Sequence, residues 1–442
     1  VPSSVERFRE LLRIPTVSHT DESAIDWARF EEFRAALERL YPETHRALDH
    51  ELVADHSLLI HWAGKTTASP LVLMAHQDVV PVIESEWTHP PFDAQIIGDG
   101  AEAAIHARGA IDDKGALVAI LEAVEQLVTE GFQPHSDVYL AFAHNEETAG
   151  DGARAIVEVL RERGVRPQLV LDEGGAVVDG VIPGVRIPTA MVGVAERGVM
   201  TLSLTAREAG GHASTPPALP ATARLARAID RLQRHPFPVR LVAPVRAMLA
   251  TVAPHAPRPL RALLGTLAVS GPLVARVLSR LGPEMNAIVR TTAVATELEG
   301  APGENVLATS ARASINIRLL TGDTVSTAVE RVRHVVADPD IEIEVRHGSD
   351  PSPVSSWRGE AWRRIATAVH ETLGHDVLTT PYIQLGASDS RWFTEIADDV
   401  YRFTPFHLTR SERDALHSHD ERIRVDVWLR GIGFYRTLIA AG

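Results

Sequence analysis

Leu71-Val-Leu-Met-Ala-His76-Gln-Asp78 begins with five apolar residues that run, without a turn residue, straight into a histidine. An unbroken run of that length marks a strand buried on both faces, because neither face can carry polar side chains into a core. The figure recurs twice. Val138-Tyr-Leu-Ala-Phe-Ala143 leads into Asn145-Glu146-Glu147, and Leu169-Val-Leu171 leads into Asp172-Glu173-Gly174-Gly175. Between the first two runs, Leu117, Ile120, Leu121, Val124, Leu127 and Val128 recur at helical spacing, and Ala153 to Arg163 reads as a second helix. Strands alternating with helices predict an α/β fold with a doubly wound, mostly parallel sheet. In such sheets ligands gather beyond the carboxyl ends of the strands.

From about residue 197 the texture changes. Met200-Thr-Leu-Ser-Leu-Thr, Ala311-Arg-Ala-Ser-Ile-Asn-Ile-Arg-Leu319 and Ile341-Glu-Ile-Glu-Val345 alternate, as strands with one open face do. Val325, Val329, Val332 and Val336 form a helical stripe between them. Residues 197–348 therefore read as a separate α+β domain, a lid inserted into a first domain made of residues 1–196 and 349–442. Within the insert, residues 238–283 are rich in Leu, Val and Ala and punctuated by proline, and are expected to add helices to the lid.

A net charge of -14 and the lack of any Lys/Arg-rich run argue against nucleic acid as a partner. With no cysteine, any zinc ligands must be His or carboxylate, and a reducing cytoplasm is the expected location. The longest uncharged apolar stretch, Ala262 to Ala275, is too short for a transmembrane span and contains Gly271-Pro272.

His76, Asp112, Glu147, Asp172 and His417 are the candidate metal ligands. Their contexts are His76-Gln-Asp78, Asp112-Asp113-Lys114-Gly115, Asn145-Glu146-Glu147, the Asp172 run above and His417-Ser-His-Asp420-Glu421. Two zinc ions a few ångströms apart can activate water and polarise an amide carbonyl, provided the site holds neutral imidazoles, carboxylates and a bridging carboxylate. Asp112 is assigned as the bridge, Glu147 and His417 to one metal, and His76 and Asp172 to the other. Co2+ or Mn2+ could substitute. Asp78 is placed behind His76 to fix its tautomer. Glu146, beside a ligand yet spare, is the candidate general base. His212, in Gly210-Gly211-His212, could stabilise an oxyanion when the lid closes. Arg318, on the open face of its strand, is a candidate clamp for a substrate carboxylate. For a lone histidine or an Asp-Asp pair the ordinary reading is a solvated side chain or a helix cap; position after buried strands is what favours ligation here.

Together these motifs resemble the zinc-dependent aminoacylase/carboxypeptidase family, especially its carboxypeptidase S and N-fatty-acyl-amino-acid synthase/hydrolase branch. Trp87-Thr-His-Pro-Pro-Phe92, Arg108-Gly109, Glu196-Arg197-Gly198, Asn286-Ala-Ile-Val-Arg-Thr-Thr292, Gly386-Ala-Ser-Asp-Ser-Arg391 and Tyr401-Arg402-Phe403 extend the resemblance over the chain. It implies a zinc-bearing catalytic domain with a ferredoxin-like lid, two zinc ions per chain, a cis peptide after Asp112, and substrate-binding roles for Asn305, Arg318 and the Gly386 to Arg391 loop, Gly386 and Ser388 in particular. The implied substrate is a dipeptide or N-acyl amino acid with a free carboxylate, the alternative being a fatty-acyl amino acid. A homodimer through the lid is a further implication. Ala308 and Ala387-Ser388 depart from the family's usual residues, which bears on substrate preference.

Overall fold

The computed structural model describes residues 2–442, which form two principal sheets. The larger has eight strands, in spatial order Asp49–Val53, Ser57–Trp62, Ser136–Ala143, Thr66–His76, Leu169–Val178, Asp399–His407, Thr189–Glu196 and Leu378–Gln384. The Thr66–His76 strand lies parallel between Ser136–Ala143 and Leu169–Val178, and Leu169–Val178 lies parallel to Asp399–His407. Antiparallel pairs occur at the Asp49–Trp62 edge and where Thr189–Glu196 meets Asp399–His407.

Both faces are covered. Lys114–Thr129 and Val425–Ala440 bury Leu117, Ile120, Leu121, Trp428, Phe434 and Leu438 on one side. Gly152–Glu162 buries Ile156, Val157 and Leu160 against Val72 and Tyr139 on the other. Each such side chain contributes about 1.5–3 kcal/mol by leaving water. The expected α/β, mostly parallel architecture is the one observed.

The second sheet, in order Thr292–Glu299, Ser310–Leu319, Gly198–Arg207 and Ile341–Ser349, is wholly antiparallel. Helices Ala221–Arg234 and Val325–Val336 cover one face through Leu225, Ala228, Val329 and Val332. Strand, helix, two strands, helix and strand in this order give a ferredoxin-like layer. Thr324 caps the second helix, exchanging hydrogen bonds with Thr327.

Residues 238–283 depart from expectation. Helices Ala243–Val252, Arg258–Gly265 and Leu267–Leu278 do form, but they do not extend the lid. Val245, Met248, Leu249 and Val274 share a core with Val181, Ile182, Met191 and Ile383 of the larger domain. The reason lies in topology: Leu378–Gln384 is the outermost strand of the large sheet, and an uncovered edge of apolar residues is a liability that the helices remove.

Candidate metal centre

His76 is the last residue of its strand and pairs with Ala143 of the parallel neighbour, so the short turn Glu146–Thr148 starts just beyond it. Asp112 stands just before the helix Lys114–Thr129, and the Asp112–Asp113 peptide is cis, as the resemblance implied. His417 lies on a loop between Arg410–Asp414 and Arg422–Arg424, in the left-handed backbone region at φ 57°.

Asp112 joins these segments. Its Oδ1 is 2.9 Å from His76 Nε2 and its Oδ2 is 3.0 Å from His417 Nε2. Glu147 Oε2 is also 3.0 Å from His417 Nε2. Two three-residue groups result, His76–Asp112–Glu173 and Asp112–Glu147–His417, with Asp112 common to both.

The histidine of the first group is oriented from behind. His76 Nδ1 lies 2.9 Å from the backbone carbonyl of Asp78 and 3.3 Å from its Oδ1, so Nδ1 carries the proton and Nε2 points into the centre. The Asp78 carboxylate, wholly buried, also accepts the amides of Glu146 and Glu147 at 3.1 Å each. One side chain thus fixes the His76 ring and the turn that carries Glu146 and Glu147.

A second network was not assigned any role from sequence. Buried Glu421 accepts the amides of Gly109, Ile111 and Asp112 at 3.1, 2.7 and 3.2 Å and an Arg108 guanidinium N–H at 2.5 Å. Arg108 in turn donates to the Ser418 carbonyl at 2.5 Å. The loop before Asp112 and the loop carrying His417 are therefore stitched together by Arg108 and Glu421. Both residues stood in motifs quoted above; two buried opposite charges in such motifs are the signal that could have found them.

Asp172 is placed differently from the sequence expectation. Its strand does not stop at residue 171 but runs to Val178, and pairing with Asp399–His407 slips between Asp172 and Gly175. Such a bulge re-aims side chains. Glu173 Oε1 comes to 3.7 Å from His76 Nε2, while Asp172 Oδ2 accepts the Ser390 amide at 2.8 Å. Gly175 permits the bulge, since a Cβ there would lie 1.7 Å from the Met191 carbonyl oxygen. Ser388 is buried behind this loop, its amide donating to Glu196 at 2.8 Å, and Glu196 pairs with buried Arg402 at 3.1 Å. Gly386 is exposed at the rim.

Among the described residues, the lid side chains His212, Asn305 and Arg318 make no hydrogen bond or ion pair to the centre. His212 and Asn305 are exposed on a two-stranded ribbon in which Gly211–His212 pairs with Val306–Leu307. His212 Nδ1 contacts the Ser214 hydroxyl at 2.8 Å. Arg318, half-buried, donates to Asn316 at 3.3 Å. Lys114 is turned away, its buried ammonium donating to the Ile14 carbonyl at 2.5 Å above the Phe33 ring.

The donor set fits divalent cations. Glu147 Oε1 is buried without a hydrogen-bond partner. Burial pushes the Glu146, Glu147 and Glu173 carboxyls above the usual range, and repulsion from Asp112 adds to this. Hydrogen bonds to Asp112 and Glu147 push His417 up to about 10. So many carboxylates in one buried place require positive charge, which cations bound by imidazole and carboxylate would supply.

Beside the centre lies a cavity of about 290 Å³ whose walls are mainly apolar. It begins at Gly174–Gly175 and Leu416, next to Glu173 and His417, and extends past Met191, Tyr382 and Leu408 to Met285 and Ile288.

A doubly wound α/β protein with paired imidazole–carboxylate groups at the carboxyl edge of its sheet has the architecture of a metal-dependent enzyme. Residues 72–441 match the profile of peptidase family M20/M25/M40. The chain belongs to this family, and it is an enzyme that hydrolyses amide bonds. It is 33% identical over 98% of its length to an N-fatty-acyl-amino acid synthase/hydrolase of Xenopus tropicalis, of which 85% is covered. A probable carboxypeptidase S-like protein of Dictyostelium discoideum is 31% identical, with 98% of this chain and 84% of that protein covered. An M20 family metallo-carboxypeptidase from Sulfolobus solfataricus superposes with a TM-score of 0.72 at 17% identity, covering 100% of this chain and 99% of the other. Among the described residues no single helix is long and apolar enough to cross a membrane.

Proposed function

We propose that this enzyme is a two-zinc hydrolase of N-acyl amino acids and dipeptides that present a free carboxylate. The observation that carries the reading is Asp112, whose two oxygens lie 2.9 and 3.0 Å from two different histidines. His417 and Glu147 would hold one cation with Asp112. His76 and the Asp172–Glu173 pair would hold the other, with Glu173 the nearer carboxylate and Asp172 ordering the Ser388–Ser390 loop. When bound, the cations would polarise the scissile carbonyl and make water acidic enough to attack at neutral pH.

The chain's own residues do the rest. Glu146 takes the proton of the attacking water on its carboxylate and returns it to the leaving amine, which is why a carboxyl raised by burial suits it. Asp78 keeps the proton of His76 on Nδ1 and fixes the Glu146 amide. His212, Asn305 and Arg318 bind the oxyanion and the substrate carboxylate once the lid closes or a second copy presents its lid, in a homodimer that light scattering would register as a doubled mass.

The apolar cavity favours a fatty-acyl group over a small one on the amine side, as does the fatty-acyl substrate named for the Xenopus relative. The test pairs elemental analysis with hydrolysis of N-dodecanoyl-Phe, N-acetyl-Leu and Gly-Leu, each beside a C-amidated control. Two metals per chain, inert amides and the fastest turnover on N-dodecanoyl-Phe are expected. Equal rates on amides would remove the carboxylate clamp, and a preference for Gly-Leu would make the enzyme a dipeptidase. Metal content of Asp172→Asn and Glu173→Gln identifies which carboxylate ligates.

A further inference from the structure

The helix Leu267–Leu278 presents the wrong face to water. Val269, Leu273, Val277 and Leu281, each four residues from the next, are 86, 55, 42 and 48% exposed, while Gly271, Val274, Ala275 and Leu278 face inward. A surface helix ordinarily carries charge on its outer side, so an apolar outer stripe calls for a partner. Around it the charge is one-sided. Residues 231–283 contain eight arginines and neither Asp nor Glu, in a chain of net charge -14. Arg258, Arg261, Arg276 and Arg280 are exposed, and among the described residues none has a carboxylate within 4.0 Å.

We propose that this helical segment docks the protein on an anionic lipid surface, with the helix Leu267–Leu278 lying in the plane of the interface. An apolar stripe flanked by arginines is what such a surface selects: the stripe enters the acyl boundary and the guanidinium groups meet lipid phosphates. Spanning is excluded by length. The helices Arg258–Gly265 and Leu267–Leu278 are bent by 117°, and twelve residues reach only about 18 Å against a hydrocarbon core of about 30 Å. A second copy is the weaker occupant, because a two-fold contact would set the same arginines against each other. The docking stands apart from the substrate reading, and binding is its readout.

The test is flotation of the full chain with phosphatidylcholine vesicles, with and without roughly one-third phosphatidylserine. Binding to the anionic vesicles is expected, lost in high salt and reduced about tenfold or more by Leu273→Asp with Val277→Asp, and several-fold by Arg276→Gln with Arg280→Gln. Both pairs are exposed and away from the metal centre, so turnover of a water-soluble substrate should stay at the wild-type level and report folding. Wild-type protein that does not float, or a double-aspartate variant that floats equally well, overturns the proposal. A wild-type mass that doubles with concentration, reverses in that variant and occurs without flotation would assign the stripe to a second copy instead.

Discussion

His76 is 1% exposed at the end of a strand paired on both sides, whereas the His417 side chain keeps 54% of its surface in solvent on a loop. The first imidazole is held by Asp78 from behind; the second relies on Asp112 and Glu147 in front and on the Arg108–Glu421 network that fixes its loop. One half of the centre is therefore built by the sheet, and the other is docked to it by side chains. Rigidity thus has two sources: backbone pairing on one side, a buried ion pair with its amide contacts on the other.

Glu146, the proposed base, is on the turn between the two halves and gives the largest expected effect. Glu146→Gln should lower kcat by about 10²- to 10⁴-fold with metal content unchanged. Loss of metal in that variant would make Glu146 a structural member of one half and blur the distinction. Next in size, Glu421→Gln should weaken metal affinity by about 10- to 100-fold on the His417 side, whose loop it fixes, and less on the His76 side, which it reaches only through Asp112. Elemental analysis after dialysis would then give close to one metal per chain; loss of both, or of neither, would show that the network does not serve the His417 side in particular. Dialysis of the wild type against a chelator should release the two metals in separate phases, the solvent-facing one first, and a single phase would show that the halves open together.

The smallest effect concerns pH and the buried side. His144 is packed beside the Glu146 turn with Ser57 Oγ at 2.7 Å, and burial holds its imidazole down to about 4, against a usual value of 6.5. Below 6.5 the unfolded chain takes up a proton that the folded protein refuses, so stability falls between about pH 6.5 and 4 and is unaffected by this group above that window. The loss amounts to about 2 kcal/mol by roughly pH 5. His144→Gln should remove that much of the difference between denaturation midpoints at neutral pH and at pH 5, whatever its effect at neutral pH. An unchanged slope would mean that the buried half is not where the acid sensitivity lies.

Much of the sheet was legible because strands buried on both faces have no room for ambiguity: Leu71–Ala75 and Val138–Ala143 are apolar throughout, and their ends are set by the polar residues that follow. The contexts of His76, Asp112, Glu147 and His417 led to four residues that the structure brings together. Asp172 is the ligand expected from its place directly after a buried run; the bulge that turns Glu173 toward His76 depends on the partner strand, which arrives more than 200 residues later. Helices 243–278 were visible as helices, but which domain they would cover was set by an exposed sheet edge that local periodicity does not encode. Glu421 was hidden for the same reason: its partners lie 309 to 313 residues away.

The separation of Asp112 and His417 by 305 positions also bears on the life of the molecule before it is finished. A chain emerging from the ribosome has His76, Asp112 and Glu147 in hand early, yet it lacks His417 until 305 further positions have followed Asp112. An incomplete chain can gather a metal but has no second imidazole with which to complete the pair. On the proposed reading, hydrolytic power would wait for the loop that carries His417, and a fragment released before it would be harmless to the peptides around it.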